Sequence, residues 1–256
     1  MLTNTIKKIF YYLPFFKRPR PVVLMYHSVS DKEAFFVVKE SEFEKQMKYL
    51  METGREVVSL SEIIRRKKNG ENIENLIAIT FDDGYLDNYT NAFPILRKYN
   101  FKSTIFSITG LIGGERKVLN ESFSMLSLEN MREMEKTGLV EFMPHTHNHQ
   151  NLNELDEKSQ KIEISSSRDF LERELGGERN IFAYPKGRFT VESIKYLGEM
   201  GFVGAVSVVP GDLFGKLDDF IIPRQSVDSK VDLRVFIVTV STGGYLIDKV
   251  KSFFKR

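Results

Sequence analysis

The stretch IAITFDDG, residues 77–84, decides what kind of fold this 256-residue chain adopts. Its first five residues are apolar or β-branched, which is typical of a strand buried inside a sheet. The run then ends abruptly on Asp82, Asp83 and Gly84. Because chemistry in sheets flanked by helices collects where strands end and loops begin, the stretch predicts a buried strand with a candidate site at its end.

Similar short apolar runs recur along the chain and alternate with longer segments of helical periodicity. The other predicted strands begin at Val22, Ser103, Val140, Ile181, Val203 and Phe220. The predicted helices between them cover residues 41–53, 61–68, 88–99, 127–136, 156–175 and 191–200. This alternation predicts an α/β fold with a parallel sheet and helices outside it, either a barrel or a doubly wound sheet. The chain has no Ser/Gly/Pro-rich linker and no repeat, which favours a single domain.

Capping residues mark where several helices begin and end. Ser41 with Glu44 has the spacing of a capping box, and Ser127 with Asn130 places a second pair of capping residues before a helix. Glycines are expected to end three helices, and these are Gly138, Gly176 and Gly201.

Composition excludes several classes of function. The net charge is only +2, so the surface lacks the strong positive field of a general nucleic-acid binder, and we predict no nucleic-acid partner. The chain has no Cys, which excludes disulfides and thiolate metal sites. Any metal must therefore bind to His, Asp or Glu side chains.

The two ends of the chain, residues 1–20 and 241–256, are aromatic and basic. One interpretation is a pair of amphipathic helices that pack on a domain of residues 21–240. The other is contact with a membrane surface, which suits aromatics combined with Lys and Arg. The first end has no evident secretory signal. We therefore expect a cytoplasmic protein, with peripheral contact with the inner membrane face as a hypothesis.

Four polar clusters follow predicted strands: YHSV at 26–29, TFDDG at 80–84, HTHNH at 145–149 and YPKGRF at 184–189. Taken singly, DDG and PKG are common turns, and His27 alone is more often structural than catalytic. HTHNH differs because it holds three of the chain's four histidines in a loop outside a strand, where packing gives no reason for them.

These clusters contain a possible metal site. His145 and His149 can present two imidazoles to one ion while Asp83 supplies an oxygen. Two histidines and one carboxylate leave coordination positions open, as a catalytic Zn²⁺ site requires. Adjacent carboxylates at a strand end point in different directions, so Asp82 is free to handle a proton.

The motifs resemble the polysaccharide deacetylase (NodB-homology) group of carbohydrate esterases, in order and spacing, from about Pro21 to Phe236. The matching segments are TFDDGYLDNY, STIFSITGLIGG, LSLENMREMEKTGLVEFMPHTHNHQNL and FAYPKGRF. VVLMYHSV resembles the branch that includes poly-N-acetylglucosamine deacetylases. The resemblance implies a distorted (β/α)7 barrel, a divalent metal, with Zn²⁺ first and Co²⁺, Ni²⁺ or Mn²⁺ as alternatives, and removal of an acetyl group from a sugar.

Site roles follow from the resemblance, position by position. Asp82 matches the general base, and Asp83, His145 and His149 match the metal ligands. Thr146 is expected to brace the ligand loop.

Further roles fall on the other two clusters. His27 matches the general acid, which many relatives carry near their C-terminus. The backbone N–H of Lys186, between Pro185 and Gly187, is expected to stabilise the oxyanion.

The chain departs from the family pattern in two places. Ala183 stands where many relatives have an Arg that braces the base, and the chain has no Trp to line the site. Arg224 is a candidate for a residue near the pocket, although its spacing does not establish that it replaces the missing Arg. His147 has no matching role, and we expect it either on the surface or in contact with substrate.

The predicted function is hydrolysis of an N-acetyl group from an amino sugar in a glycan or a lipid-linked saccharide. Two alternatives stay open. One is a glycan-binding pseudoenzyme, which is expected to lack ligand or base positions, and all of these are present. The other is a metal-dependent amidase on a small non-sugar substrate.

Overall fold

Strand β5 lies at the centre of the molecule and is buried over its whole length. The computed structural model describes residues 2–13, 18–118, 120–209, 211, 213 and 218–247. Within them the strands are β1 Val22–Tyr26, β2 Ser28–Val29, β3 Val37–Val38, β4 Glu56–Val58, β5 Leu76–Asp83, β6 Ser103–Ser107, β7 Glu115–Val118, β8 Glu121–Ser124, β9 Val140–Pro144, β10 Ile181–Ala183, β11 Gly204–Val206 and β12 Gln225–Ser226. The helices are α1 Leu2–Phe10, α2 Glu40–Glu52, α3 Leu60–Lys68, α4 Phe93–Tyr99, α5 Leu128–Lys136, α6 Glu157–Leu175, α7 Val191–Glu199 and α8 Leu233–Thr239.

The main sheet is parallel and runs in the order β12-β1-β5-β6-β9, with β4 beside the start of β5. Strands β10 and β11 pair separately, and Val206 of β11 forms a parallel bridge to Ile222. Seven of these parallel strands, all but β4, thus surround a common interior, with the ladder interrupted after β9 and again near Ile222. The predicted α/β fold with a distorted (β/α)7 barrel is confirmed.

Alternation along the strands separates the interior of the barrel from its helical shell. In β5, Ile77, Ile79 and Phe81 pack in the cluster that includes α2, α5 and α8. Leu76 and Ala78 belong instead to a cluster formed by the inward residues of β6, β9, β10 and β11 with α3. Since side chains alternate across a strand, Asp82 belongs to the inward set.

The predicted helices lie close to the observed ones, but the N-cap predicted for the first of them, Ser41, is wrong. Ser127 and Asn130 form the reciprocal hydrogen bonds of a capping box before α5. Ser41, however, lies inside the first turn of α2, whose N-cap is Lys39 without a side-chain bond. The helix begins earlier because the chain leaves β3 only two residues before it. Three predicted helix ends are confirmed, since Gly138, Gly176 and Gly201 follow helices with positive φ.

The seventh predicted strand, FIIP at Phe220, is wrong in position. Only Ile222 forms a bridge there, and the strand that closes against β1 is β12, two residues long. Pro223 has no N–H to donate to a strand ladder. This fits the finding that pairing with β1 begins only after it, at β12. Sequence patterns also did not predict β4, which is short, or the β7–β8 hairpin, whose residues are mostly polar.

Helix α1 of the predicted N-terminal segment packs on α8. Lys7 is buried and donates to Thr239 Oγ1 at 2.9 Å, while Lys8 pairs with Asp232 at 2.7 Å. Exposed apolar side chains remain at the end of this segment, namely Ile9, Tyr12 and Leu13. Within the described residues, every helix is too short or too polar to cross a bilayer.

The predicted boundaries of the three segments stay a prediction. Residues 14–17 of the N-terminal segment and 248–256 of the C-terminal one lie outside the described part of the chain.

Candidate metal and catalytic site

The end of β5 turns sharply, which separates its two carboxylates. Asp83 has φ 75° and Gly84 has φ 84°, both in the left-handed region. A Cβ at Gly84 would lie 3.0 Å from Ser107 Oγ, so glycine allows the close approach to β6. Asp82 keeps the alternation of β5 and points inward, whereas Asp83 is turned towards the loops.

Asp82 is held by Arg224, which lies just before β12. The guanidinium donates to both carboxylate oxygens, at 2.6 and 2.7 Å, and both side chains are buried. Arg224 also donates to Thr80 Oγ1 at 3.2 Å and to the carbonyl of Ser207 at 3.1 Å, which fixes its orientation. Burial raises the pKa of Asp82, but Arg224 and then His145 outweigh it, so the pKa lies below its ordinary value. Asp82 is therefore ionised.

This pair accounts for one departure from the family pattern. Ala183 stands where many relatives have the bracing Arg, and Arg224 supplies a guanidinium to the same carboxylate from a later segment. Arg224 and Asp82 are distant in sequence, and the closing of the barrel brings them together. The sequence gives only a weak indication of the contact between Arg224 and Asp82. Arg224 is a charged residue directly after the apolar run at Phe220.

Asp83, His145 and His149 come together as a group whose ligand atoms all lie within 4.8 Å of one another. Asp83 Oδ1 is 3.7 Å from His145 Nε2 and 3.4 Å from His149 Nε2. Ligands about 2.1 Å from a tetrahedral ion are about 3.4 Å apart. Asp83 Oδ1 is buried and has no hydrogen-bond partner among the described residues. Both the donor set and this unpaired oxygen fit a divalent cation.

The backbone of β10 orients His145. Its Nδ1 lies 2.8 Å from the carbonyl oxygen of Ala183, so Nδ1 carries the hydrogen and donates it. The Nε2 lone pair is then free on the side of Asp83, the arrangement that metal-binding histidines need. Burial lowers the pKa of His145, and it lowers that of His149 to about 3, so both rings are neutral at neutral pH.

The HTHNH loop is held in an unusual backbone conformation. Thr146 and His149 have φ of 63° and 58°, a region that non-glycine residues seldom adopt. Thr146 Oγ1 accepts a hydrogen bond from the backbone N–H of His149 at 2.9 Å. Glu163 of α6 accepts from the N–H groups of His147 and Asn148, at 3.0 and 2.8 Å. The loop geometry thus depends on a buried acid that no motif in the sequence singles out.

The first alternative for His147, a surface position, is wrong, whereas contact with substrate stays a prediction. Its side chain is half-buried rather than on the surface, and its Nδ1 lies 2.9 Å from Thr109 Oγ1. Its carbonyl accepts from Gly110 N–H at 2.8 Å, and a Cβ at Gly110 would lie 2.6 Å from that oxygen. His147 therefore joins the loop to the end of β6 and stays outside the ligand group.

His27 follows β1 and is held near the two carboxylates by the loop after β5. Asn88 Nδ2 donates to the His27 carbonyl at 2.7 Å. Asp87 accepts from Ser28 Oγ at 2.6 Å and from the backbone N–H of Val29 at 3.1 Å. Burial raises the pKa of Asp87 to about 6. The TFDDGYLDNY segment therefore positions the YHSV cluster, with His27, as well as carrying the two acids.

Aromatic rings pack beside His27. Phe36 stacks on Tyr85, with centroids 5.7 Å apart and planes 13° apart, and lies 5.8 Å from the His27 ring. Phe123 packs against both aromatic rings, at 5.2 and 5.1 Å. Phe36 thus packs beside His27, and Tyr85 and Phe123 support it from behind.

The YPKG turn directly follows Ala183, whose carbonyl holds His145. Lys186 has φ 54° and an exposed side chain, while Pro185 is buried. Gly187 has φ 66°, and a Cβ there would lie 2.5 Å from Val208 Cγ2. The turn therefore presents backbone rather than side chain near the ligand group.

The structure also brings to the site an arginine that sequence reasoning missed. Arg116 of β7 pairs with Asp83 Oδ2, and its Nη2 lies 3.0 Å from His149 Nδ1. Burial raises the pKa of Asp83, but Arg116 above all opposes this and the pKa lies far below its usual range. Arg116 lies in the polar hairpin, where no sequence pattern indicates that it reaches the site.

Comparison with known proteins agrees with this geometry. The sequence profile of the family described as polysaccharide deacetylase matches residues 69–205. The chain belongs to the polysaccharide deacetylase family. The Bacillus subtilis (strain 168) protein YxkH, which its name places among polysaccharide deacetylases, is 34% identical over 190 residues, which are 74% of this chain and 64% of that protein.

Further relatives of this deacetylase family member carry more specific names. A poly-beta-1,6-N-acetyl-D-glucosamine N-deacetylase of Staphylococcus aureus (strain MRSA252) is 30% identical over 210 residues, 78% of this chain and 71% of that protein. The Streptococcus pyogenes deacetylase PplD superposes with a TM-score of 0.76 at 25% identity, over 87% of this chain and 99% of that one. IcaB from Ammonifex degensii superposes with a TM-score of 0.76 at 26% identity, over 88% and 97%.

The ligand group makes a direct prediction about metal content. We expect Asp83→Ala and His149→Ala to lose bound divalent metal, because two remaining ligands hold such an ion poorly. Asp82→Asn is the matched control, since this neighbouring carboxylate lies outside the group and pairs with Arg224, and it should keep its metal. Elemental analysis after dialysis against one equivalent of Zn²⁺ measures this. Full occupancy in both ligand variants would refute the assignment.

Proposed function

We propose that the chain is a metal-dependent hydrolase that removes an N-acetyl group from an amino sugar in a glycan and releases acetate. One observation carries the proposal. A carboxylate that is ionised and braced by Arg224 lies directly beside the group Asp83, His145 and His149, in a chain of the polysaccharide deacetylase family.

The ion is held by Asp83, His145 and His149 in this proposal, and Zn²⁺ is the first choice for two imidazoles and one carboxylate. A bound divalent ion lowers the pKa of a coordinated water to about 7 and polarises a carbonyl oxygen. Co²⁺, Ni²⁺ and Mn²⁺ are the alternatives.

Asp82 is the proposed general base. Its pairing with Arg224 uses one lone pair of each oxygen, so further acceptor positions remain on the carboxylate. The guanidinium also fixes the carboxylate plane, which aims the base at the ligand group. General-base catalysis of this kind contributes roughly 10²–10⁴-fold to a rate.

The backbone N–H of Lys186 is the proposed oxyanion donor. Pro185 has no N–H, which makes Lys186 the first donor of the turn. The left-handed conformation of Lys186 and Gly187 bends the backbone immediately after Ala183, beside His145. A fixed backbone donor stabilises a developing negative charge without reorganisation.

His27 is the proposed general acid. An amine is a poor leaving group until it is protonated, and an imidazolium can supply that proton. Burial raises the pKa of Asp82 and of Asp83, and His27 is among the groups that lower both, which supports its place near the reacting group. Asn88 and Asp87 keep its loop in position, and Phe36 shields one side of its ring.

The proposed substrate is a polymer of N-acetylglucosamine, on the strength of the S. aureus relative named for poly-beta-1,6-N-acetyl-D-glucosamine. A lipid-linked saccharide is the alternative carbohydrate, and small cyclic amides are the rival substrate class. A glycan-binding pseudoenzyme is disfavoured because the base, the three ligand positions and the bracing arginine are all in place.

The Asp82 proposal is tested by acetate release. We expect wild-type protein loaded with Zn²⁺ to release acetate from β-1,6-linked N-acetylglucosamine oligomers and to leave small cyclic amides intact. Asp82→Asn should keep its metal but lose roughly 10²–10⁴-fold in rate. A near wild-type rate for this variant would exclude Asp82 as the base, and hydrolysis of cyclic amides alone would favour the amidase.

The role of His27 predicts a dependence on the leaving group. His27→Ala should lose most activity on an acetamide but retain activity on an activated aryl acetate, because a phenolate leaves without a proton. Comparing kcat/KM for the two substrates in wild type and variant measures the difference. Equal losses on both would favour a structural role for this histidine.

We propose that the protein is cytoplasmic and contacts the inner membrane face peripherally. The exposed side chains of Ile9, Tyr12 and Leu13 beside a basic helix support this contact. The buried Lys7 and the Lys8–Asp232 pair reduce the charge available for it.

Co-sedimentation with anionic vesicles at low salt tests the membrane proposal. We expect binding that weakens when Ile9, Tyr12 and Leu13 are replaced together by Ser, because apolar burial in the interface is then lost. The distant exposed Val191 replaced by Ser is the control and should bind as wild type does. No binding by the intact protein, or binding unchanged in the triple variant, would refute the proposal.

A further inference from the structure

Arg116 is placed at the ligand group by an anchored hairpin. It lies on β7 directly opposite Phe123 of β8, and directly opposed residues share one face of a hairpin. Phe123 is buried against Tyr85 and Phe36, so this face is turned towards the site. The neighbouring Lys117 lies on the other face and is exposed.

The Arg116 guanidinium contacts Asp83 and His149, two of the three residues of the ligand group. In each it contacts the atom that points away from the rest of the group. It pairs with Asp83 Oδ2, whereas Asp83 Oδ1 faces the two histidines. Its Nη2 lies 3.0 Å from His149 Nδ1, whereas His149 Nε2 faces Asp83. Tyr85 also receives a hydrogen bond from Nη1, at 3.3 Å, and helps to hold the arginine there.

The contact with His149 dictates which ring nitrogen carries the hydrogen. A guanidinium only donates hydrogen bonds, so His149 Nδ1 must be the acceptor. In a neutral ring the hydrogen then sits on Nε2, which lies 3.4 Å from Asp83 Oδ1 without forming a hydrogen bond to it. His145 is in the opposite state, because its Nδ1 donates to the Ala183 carbonyl and leaves Nε2 free.

Metal ligation through Nε2 requires the other state of His149. The lone pair must then be on Nε2 and the hydrogen on Nδ1, where it meets the N–H of Arg116. Two donors cannot share one hydrogen bond, and the guanidinium cannot give up its proton to relieve the conflict. His145 can accept an ion as it stands, whereas His149 cannot while Arg116 holds it.

We infer that Arg116 competes with the metal for the ligand group and sets its affinity. The inference rests on the metal site of the proposed function. Without metal, Arg116 neutralises the buried Asp83 and holds His149 in the state that does not bind an ion. Loading requires Arg116 to release His149, and its positive charge opposes the incoming cation. Removal of the arginine therefore strengthens metal binding.

The ring states can be read in the wild-type protein. With ¹⁵N-histidine labelling, four rings give signals, and His→Gln variants at 145 and 149 assign the two of interest. At pH 7.5 without metal, we expect the hydrogen on Nε2 of His149 and on Nδ1 of His145. With Zn²⁺ the His149 hydrogen moves to Nδ1, and His145 keeps its own. A His149 ring that already carries its hydrogen on Nδ1 without metal would overturn the inference.

Metal affinity gives the second test. In competition with a chromophoric chelator, Arg116→Met should bind Zn²⁺ at least about tenfold more tightly than wild type. Lys117→Met makes the same change of charge one residue away on the exposed face, and its affinity should stay within about twofold of wild type. Unchanged or weaker binding by Arg116→Met would overturn the inference and make the arginine a brace for the ligands.

The two tests also separate this inference from the proposed function. If wild type and both variants bind no Zn²⁺, the metal site itself is wrong. A different result is that wild type binds Zn²⁺, the His149 hydrogen does not move from Nε2 to Nδ1, and Arg116→Met binds Zn²⁺ no more tightly. In that case the metal site is correct and only the competition is wrong. Since the ring measurement uses wild-type protein, it decides between these outcomes even if Arg116→Met folds poorly.

Discussion

Asp82 and Asp83 are adjacent carboxylates buried at the end of one strand, and the surrounding residues supply the counter-charges that stabilise them. A buried charge is costly unless it is paired and hydrogen-bonded. Asp82 receives both N–H groups of Arg224, and Asp83 faces Arg116 and two histidines. The backbone separates the two acids by leaving the strand conformation at Asp83, which lets each have its own counter-charge.

This separation also places the two acids in different surroundings. Asp82 keeps the inward direction of its strand and meets a guanidinium that cannot be displaced easily, because Thr80 and Ser207 also hold it. Asp83 instead has one buried oxygen without a hydrogen-bond partner among the described residues. A carboxylate fixed by a guanidinium and a carboxylate with one unpaired oxygen therefore lie side by side.

The ligand loop is stabilised from outside the site. Left-handed backbone at Thr146 and His149 costs of order 1–3 kcal/mol each, so surrounding contacts must maintain it. The Glu163 carboxylate on α6, the Thr146 hydroxyl and the His147–Thr109 contact provide them. His147, which the family pattern leaves without a role, is thus part of the support for its two neighbours.

The sequence by itself determined the local features: the buried strand 77–81 with two acids after it, the alternation of strands and helices, and the residues of the ligand group. These depend on periodicity and on short motifs that a single segment contains. Tertiary structure alone decided which distant side chains complete the site. Arg224 reaches Asp82 because β12 closes the barrel beside β1, and Arg116 reaches Asp83 from a hairpin of mostly polar residues. Neither contact could be predicted from the spacing of residues in the sequence. An arginine has a long side chain with five N–H donors, and the fold decides which carboxylate lies within its reach.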